Sequence, residues 1–111
     1  MANAYKVLGQ ANLTTTSDTD IYTVPSATES VLSTVIIANI GTVATTFNLA
    51  IRPNGDTLAN KHYIAKGVPI AASDSTTLTL GMTLDAADVV TAAAGTANAL
   101  SFNIFGTEIT A

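Results

Sequence analysis

The chain has no cysteine, no tryptophan, one histidine, three prolines and only four basic residues. Each shortage closes off a class of function. Without cysteine there is no disulfide framework, no thiolate nucleophile and no sulfur-ligated metal, and the redox compartment is left open. A single histidine, His62, cannot supply a His-pair metal site within one chain. Eight acidic residues against four basic give a net charge of −4 and an isoelectric point near 4.4. Nucleic acid is therefore not an expected partner, because phosphate binding needs a basic patch. Aromatic residues make up 5% of the chain. Tyr5, Tyr22 and Tyr63 are its only polar aromatics, which leaves a sugar-binding site short of stacking platforms. The segment Met1–Lys6 has no basic stretch followed by an apolar core. No apolar run approaches the ~18 residues of a membrane span, so synthesis and assembly in a cytosol, without a membrane partner, are expected.

Charge of either sign is also scarce: 11% of residues are charged, against roughly 25% in soluble domains. Thr, Ser and Asn take over the polar positions. A dispersed monomer normally carries more surface charge, so this composition suits a protein whose surface is largely covered by neighbours.

What is present is β-structure. At 111 residues, 48% of them hydrophobic, the chain is one domain with enough apolar material for a core that buries roughly two-thirds of its unfolded surface. Thr46–Arg52 and Leu100–Phe105 place apolar side chains at every second position, the period of a strand with one buried face. Ser30–Ile40 is apolar on both faces around Val35–Ile37, the pattern of a central strand covered on both sides. Further strands are expected at Tyr5–Leu8, Ile21–Val24, Lys61–Lys66, Ser75–Leu80, Met82–Leu84 and Val89–Ala94. Breaks are expected at Gly67-Val68-Pro69, Gly81 and Gly106. Turn chemistry is strongest at Pro53-Asn54-Gly55-Asp56. Seven to eight short strands at this spacing predict an all-β, antiparallel β-sandwich, Ig-like or jelly-roll. The expected organisation is a single domain over residues 1–111, with a weakly structured N-terminal arm (about 1–20) and a short C-terminal tail from Gly106, both suited to ordering against a partner.

A search for chemistry returns little. Flanked by Lys61 and Tyr63, His62 reads as a surface or interface residue. A Ser-His-Asp triad has no nucleophile elbow to sit in. Asp18-Thr19-Asp20 and Asp85-Ala86-Ala87-Asp88 could each lend oxygens to Ca²⁺, but neither matches an EF-hand, and Asx-type turn capping explains both. No phosphate-cradling glycine motif occurs. No enzymatic activity, catalytic residue, metal or cofactor is expected. The one charge asymmetry is Arg52, Lys61 and Lys66 within fifteen residues that contain a single acid, Asp56. Such a stretch could orient docking on an acidic partner or deter edge-to-edge strand pairing. The candidate partner contacts are Arg52, Lys61, His62 and Lys66, with Tyr5 as an arm anchor.

Several segments in order carry a resemblance: Tyr22-Thr23-Val24-Pro25, Asn39-Ile40-Gly41-Thr42, Phe47–Gly55, Asn60–Ala65, Thr76–Gly81 and Leu100–Ile109. Together they resemble small, Cys-free virion structural proteins of tailed bacteriophages of cyanobacteria and marine bacteria. The resemblance implies a β-rich particle component with no enzymatic activity, made in the host cytoplasm and located in the virion. The leading expectation is a capsid decoration (cement) protein contacting the major capsid protein or other virion proteins. A homo-oligomer is expected, for instance a trimer at a lattice three-fold. The alternatives are a tail, neck or baseplate-fibre component, and a carbohydrate- or receptor-binding module.

Overall fold

A computed structural model describes residues 2–110. Eight strands follow one another: β1 (Ala2–Asn12), β2 (Thr19–Thr23), β3 (Thr28–Asn39), β4 (Thr45–Arg52), β5 (Tyr63–Ile70), β6 (Ser75–Leu84), β7 (Val89–Ala94) and β8 (Leu100–Thr110). They form two four-stranded antiparallel sheets, β1-β8-β3-β6 and β2-β7-β4-β5. The pairs β1–β8, β2–β7, β3–β6 and β4–β5 are those of one long hairpin rolled up on itself. The pairs β3–β8 and β4–β7 join its two halves. Of the two sandwiches the sequence allows, this strand order is the jelly roll.

The core lies between the sheets, with Leu32, Val35, Ile37, Phe102 and Ile104 from one and Phe47, Leu49 and Val90 from the other, all essentially inaccessible. Phe47 and Phe102 meet edge-to-face across the middle, with ring centroids 6.5 Å apart, a favoured aromatic geometry. In β7, Ala92 and Ala94 sit beside Leu49 and Phe47. Small side chains next to large ones let the layers interdigitate.

Four sequence expectations need correction. Ala2–Asn12 is a paired strand, not a weakly structured arm, and Gly106 does not open a tail. Those segments are β1 and β8, paired from Ala2↔Thr110 to Asn12↔Ser101. Gly106 lies inside β8 because a Cβ there would strike the Val31 carbonyl and the Leu8 side chain. Gly67 and Gly81 do not end strands. Each has positive φ (65° and 82°) and sits where the ladder shifts register, as in a bulge. Lys61-His62 is not strand; Asn60–His62 forms a single 3-10 turn, and Pro53–Gly55 forms another.

The two outer faces differ. All six residues of β7 are buried, including the outward Val89, Thr91 and Ala93. The loop after β4 brings Gly55 against Val89, and the Arg52 side chain reaches Thr91. The outer face of β1-β8-β3-β6 has no such cover. There Val31, Thr34, Ile36 and Ala38 of the central strand β3 stay half-exposed.

Candidate functional site

The basic stretch does not form one contact surface. Arg52, at the end of β4, is held by the fold. Its Nη2 donates to Asp20 Oδ1 at 2.7 Å, its Nε to Thr91 Oγ1 at 2.9 Å and its Nη1 to the Gly55 and Asp56 carbonyls. Thr91 Oγ1 in turn donates to the same Asp20 oxygen. The guanidinium joins β2, β7, β4 and the following loop, an internal fastener with four of its five N–H donors engaged. Lys66 is exposed, but its ammonium stands 4.6 Å from the centre of the Tyr63 ring, a cation–π contact. Lys61 is exposed. Tyr5, on β1, is 82% exposed.

His62 is buried, not a surface residue, at 5% exposure. Its Nδ1 accepts the Ala59 backbone N–H at 3.0 Å, which fixes the ring over the 3-10 turn. In the neutral ring that leaves the proton on Nε2, so no lone pair remains for a metal or for general-base work. Nε2 lies 3.6 Å from Asp56 Oδ2, beyond hydrogen-bonding length, and has no other partner among the described residues. Asp56, His62, Lys61, Ile51, Pro53 and Ile64 line an open recess of about 470 Å³. Among the described residues, no Phe or Tyr ring lines it. Among the described residues, no three His, Asp or Glu side chains converge as a metal cluster would.

Of the two acidic pairs, Asp85 and Asp88 cap turns, whereas Asp20 of the first pair is held across the sheet. Asp88 accepts the Asp85 and Asn54 N–H groups, and Asp85 accepts that of Ala86. Asp20 is committed to Arg52 and Thr91.

One cluster escaped the sequence reading: Lys6, Tyr22, Ser30 and Glu108, from β1, β2, β3 and β8. The Tyr22 hydroxyl donates to Glu108 Oε2 at 2.6 Å and lies 2.7 Å from Ser30 Oγ. Lys6 Nζ pairs with Glu108 Oε1. The Lys6 bond, followed by the Tyr22 hydroxyl, holds the Glu108 carboxyl below its ordinary range. Burial, reinforced by the Glu108 carboxylate, pushes the Tyr22 phenol up to about 12. Every polar group in the cluster has a partner, so it fastens both sheets to the N-terminal strand and offers no reactive group. The four positions are too far apart in the chain to form a motif.

The surface that remains is the outer face of β1-β8-β3-β6. The register sets Tyr5, Thr107, Val31 and Thr83 in one row, Val7, Phe105, Thr34 and Thr79 in the next, and Gln10, Asn103, Ile36 and Thr77 in a third. No charged side chain stands in these rows. Glu29, facing Ile109 near one end of β3, is the nearest outward charge on the sheet. A scan against models of known protein families finds no match, and no curated protein matches the chain.

Proposed function

We propose that this chain is a non-enzymatic structural protein of a tailed-phage virion, a decoration protein whose outer β1-β8-β3-β6 face lies on the major capsid protein lattice. The observation that carries the reading is β3. Its sequence is that of a strand covered on both faces, yet within the chain only the face with Leu32, Val35 and Ile37 is covered. A neighbouring protein supplies the missing cover. Covering this face strips no ion of its water, and its Thr hydroxyls and the Gln10 and Asn103 amides can exchange water for hydrogen bonds to the neighbour. Jelly rolls also recur in viral capsid domains, an argument by analogy of fold alone.

A carbohydrate-binding module is less well supported. Tyr22 is buried, Lys66 covers the Tyr63 ring, and no Phe or Tyr lines the recess beside His62. Quantitative mass spectrometry of purified particles tests the proposal. A decoration protein is present on the order of hundreds of copies, as repetition over a closed shell requires. A dozen copies or fewer would overturn the decoration role and place the protein in the tail, neck or baseplate fibre.

A further inference from the structure

We infer that the free edge of β1 is a homodimer interface, at which β1 of one copy pairs antiparallel with β1 of a second across a two-fold axis. A sandwich of two open sheets has four edge strands, and here three are blunted. β2 is five residues long and shifts register between Asp20 and Tyr22. β5 contains Pro69, positive-φ Gly67 and two register shifts. β6 is interrupted at Gly81, where its pairing with β3 shifts. Short strands, proline and bulges are the devices that stop edge-to-edge pairing. β1 has one shift, between Val7 and Gly9, which leaves Ala2–Val7 as a regular stretch. Those six residues are all exposed, and their ladder partner is β8 alone.

The edge also suits a copy of itself. The β1 sequence Ala2–Asn12 contains no acid, so two chains of charge −4 meet there without setting carboxylates face to face. Its one charge, Lys6, is already paired with Glu108 on the inner side. Tyr5 (82% exposed) and Val7 (46%) are two of the five exposed large hydrophobic residues among the described residues, and both lie on the outer side of this strand. A two-fold axis perpendicular to the sheet keeps each side chain on its own face, so paired positions share parity. Setting Tyr5 opposite its own copy places Val7 opposite Asn3 and Lys6 opposite Ala4. The registers one step to either side set Lys6 against Lys6, which like charges disfavour, or leave Val7 beyond the paired stretch. The Tyr5 register extends the sheet to eight strands and stacks two tyrosines. It is a two-fold alternative to the trimer expected from sequence, and it does not depend on the virion role.

The absence of cysteine makes the test clean. In the Tyr5 register, equivalent Cα atoms lie about 4.5–5.5 Å apart, within the roughly 4.4–6.8 Å of a disulfide. Tyr5→Cys is expected to cross-link to a covalent dimer under mild oxidation, while Val43→Cys, at a position 70% exposed on the β3–β4 loop, forms no covalent dimer. The unmodified chain is expected to sediment at twice its 11.3 kDa, and Tyr5→Lys at the single mass with an unchanged circular dichroism spectrum. A monomeric unmodified chain at about 100 μM, a range that would expose even weak pairing, would overturn the inference, as would equal cross-linking of both cysteine variants. A monomer still present in hundreds of copies per particle would remove the dimer and leave the decoration role standing.

Discussion

At the scale of single residues, the Lys6–Glu108–Tyr22–Ser30 cluster makes stability depend on pH at both extremes. The Glu108 carboxyl is held below its ordinary range in the folded chain, so the folded state favours its ionised form. The stability this supplies is complete above the unfolded carboxyl range and is lost as pH falls through the lower folded value. Tyr22 behaves in the opposite sense. Its phenol ionises at about 12 when folded against 10 when free, so its contribution is complete below pH 10 and is lost as pH rises towards 12. Urea midpoints measured from about pH 3 to about pH 12 should therefore fall at both ends. Glu108→Gln should flatten the acid side, and Tyr22→Phe should flatten the alkaline side at a cost near neutrality of about 1.5–3 kcal/mol, the worth of a hydrogen bond to a charged group. An acid limb unchanged in Glu108→Gln would assign it to other carboxylates.

At the scale of elements, what was legible in the sequence follows from where each strand sits. Thr46–Arg52 and Leu100–Phe105 announced themselves because one side faces the core and the other does not. The N-terminal half of β1 showed only as the short strand Tyr5–Leu8, because Ala2–Val7 is exposed on both sides and no apolar period is imposed on it. Its pairing comes from the backbone of β8, at the far end of the chain. Gly67 and Gly81 read as breaks because a positive-φ residue has the same local signature in a bulge as in a turn. The basic stretch misled for a related reason: Arg52 is claimed by Asp20 and Thr91, 32 and 39 positions away, and only the topology brings them together. His62 was misplaced because nothing local reveals that its ring folds back onto the Ala59 amide. Gly106 supplies a test at this scale. Gly106→Ala forces a methyl against the Val31 carbonyl where β8 meets β3, so unfolding free energy should drop by about 1–3 kcal/mol, the range for an overpacked interior. Gly67→Ala meets nothing within 4 Å and should pay chiefly for its positive φ, roughly 1 kcal/mol.

At the scale of the whole molecule, the two sheets divide the work. β2-β7-β4-β5 closes its own outer side with the loop after β4 and the Arg52 fastener. β1-β8-β3-β6 leaves its outer side bare and nearly without charge. Stability and attachment should therefore separate in mutants. Ile36→Lys, on the bare face, should leave the thermal midpoint within a few degrees, as for a surface substitution, while reducing incorporation into particles at least tenfold. That loss corresponds to about 1.4 kcal/mol, less than the expected cost of burying one unpaired ammonium. Quantitative mass spectrometry of particles assembled with the variant, beside calorimetry of the purified protein, checks both halves. Normal incorporation would show that the bare face does not meet the lattice.

The pairing of Ala2 with Thr110 also governs time. The first and last strands of the chain are ladder partners, so β1 waits through synthesis of nearly every other residue before its mate exists. Pairings this distant close slowly, because the loop entropy is spent before any contact is gained. Until Leu100–Thr110 clears the ribosome, the nascent chain carries β3 without the neighbour that sits between it and β1, and the apolar inner side of β2-β7-β4-β5 faces an incomplete partner sheet. The chain is therefore most exposed to aggregation before β8 has taken its place between β1 and β3, and slowing elongation ahead of β8 should not relieve it.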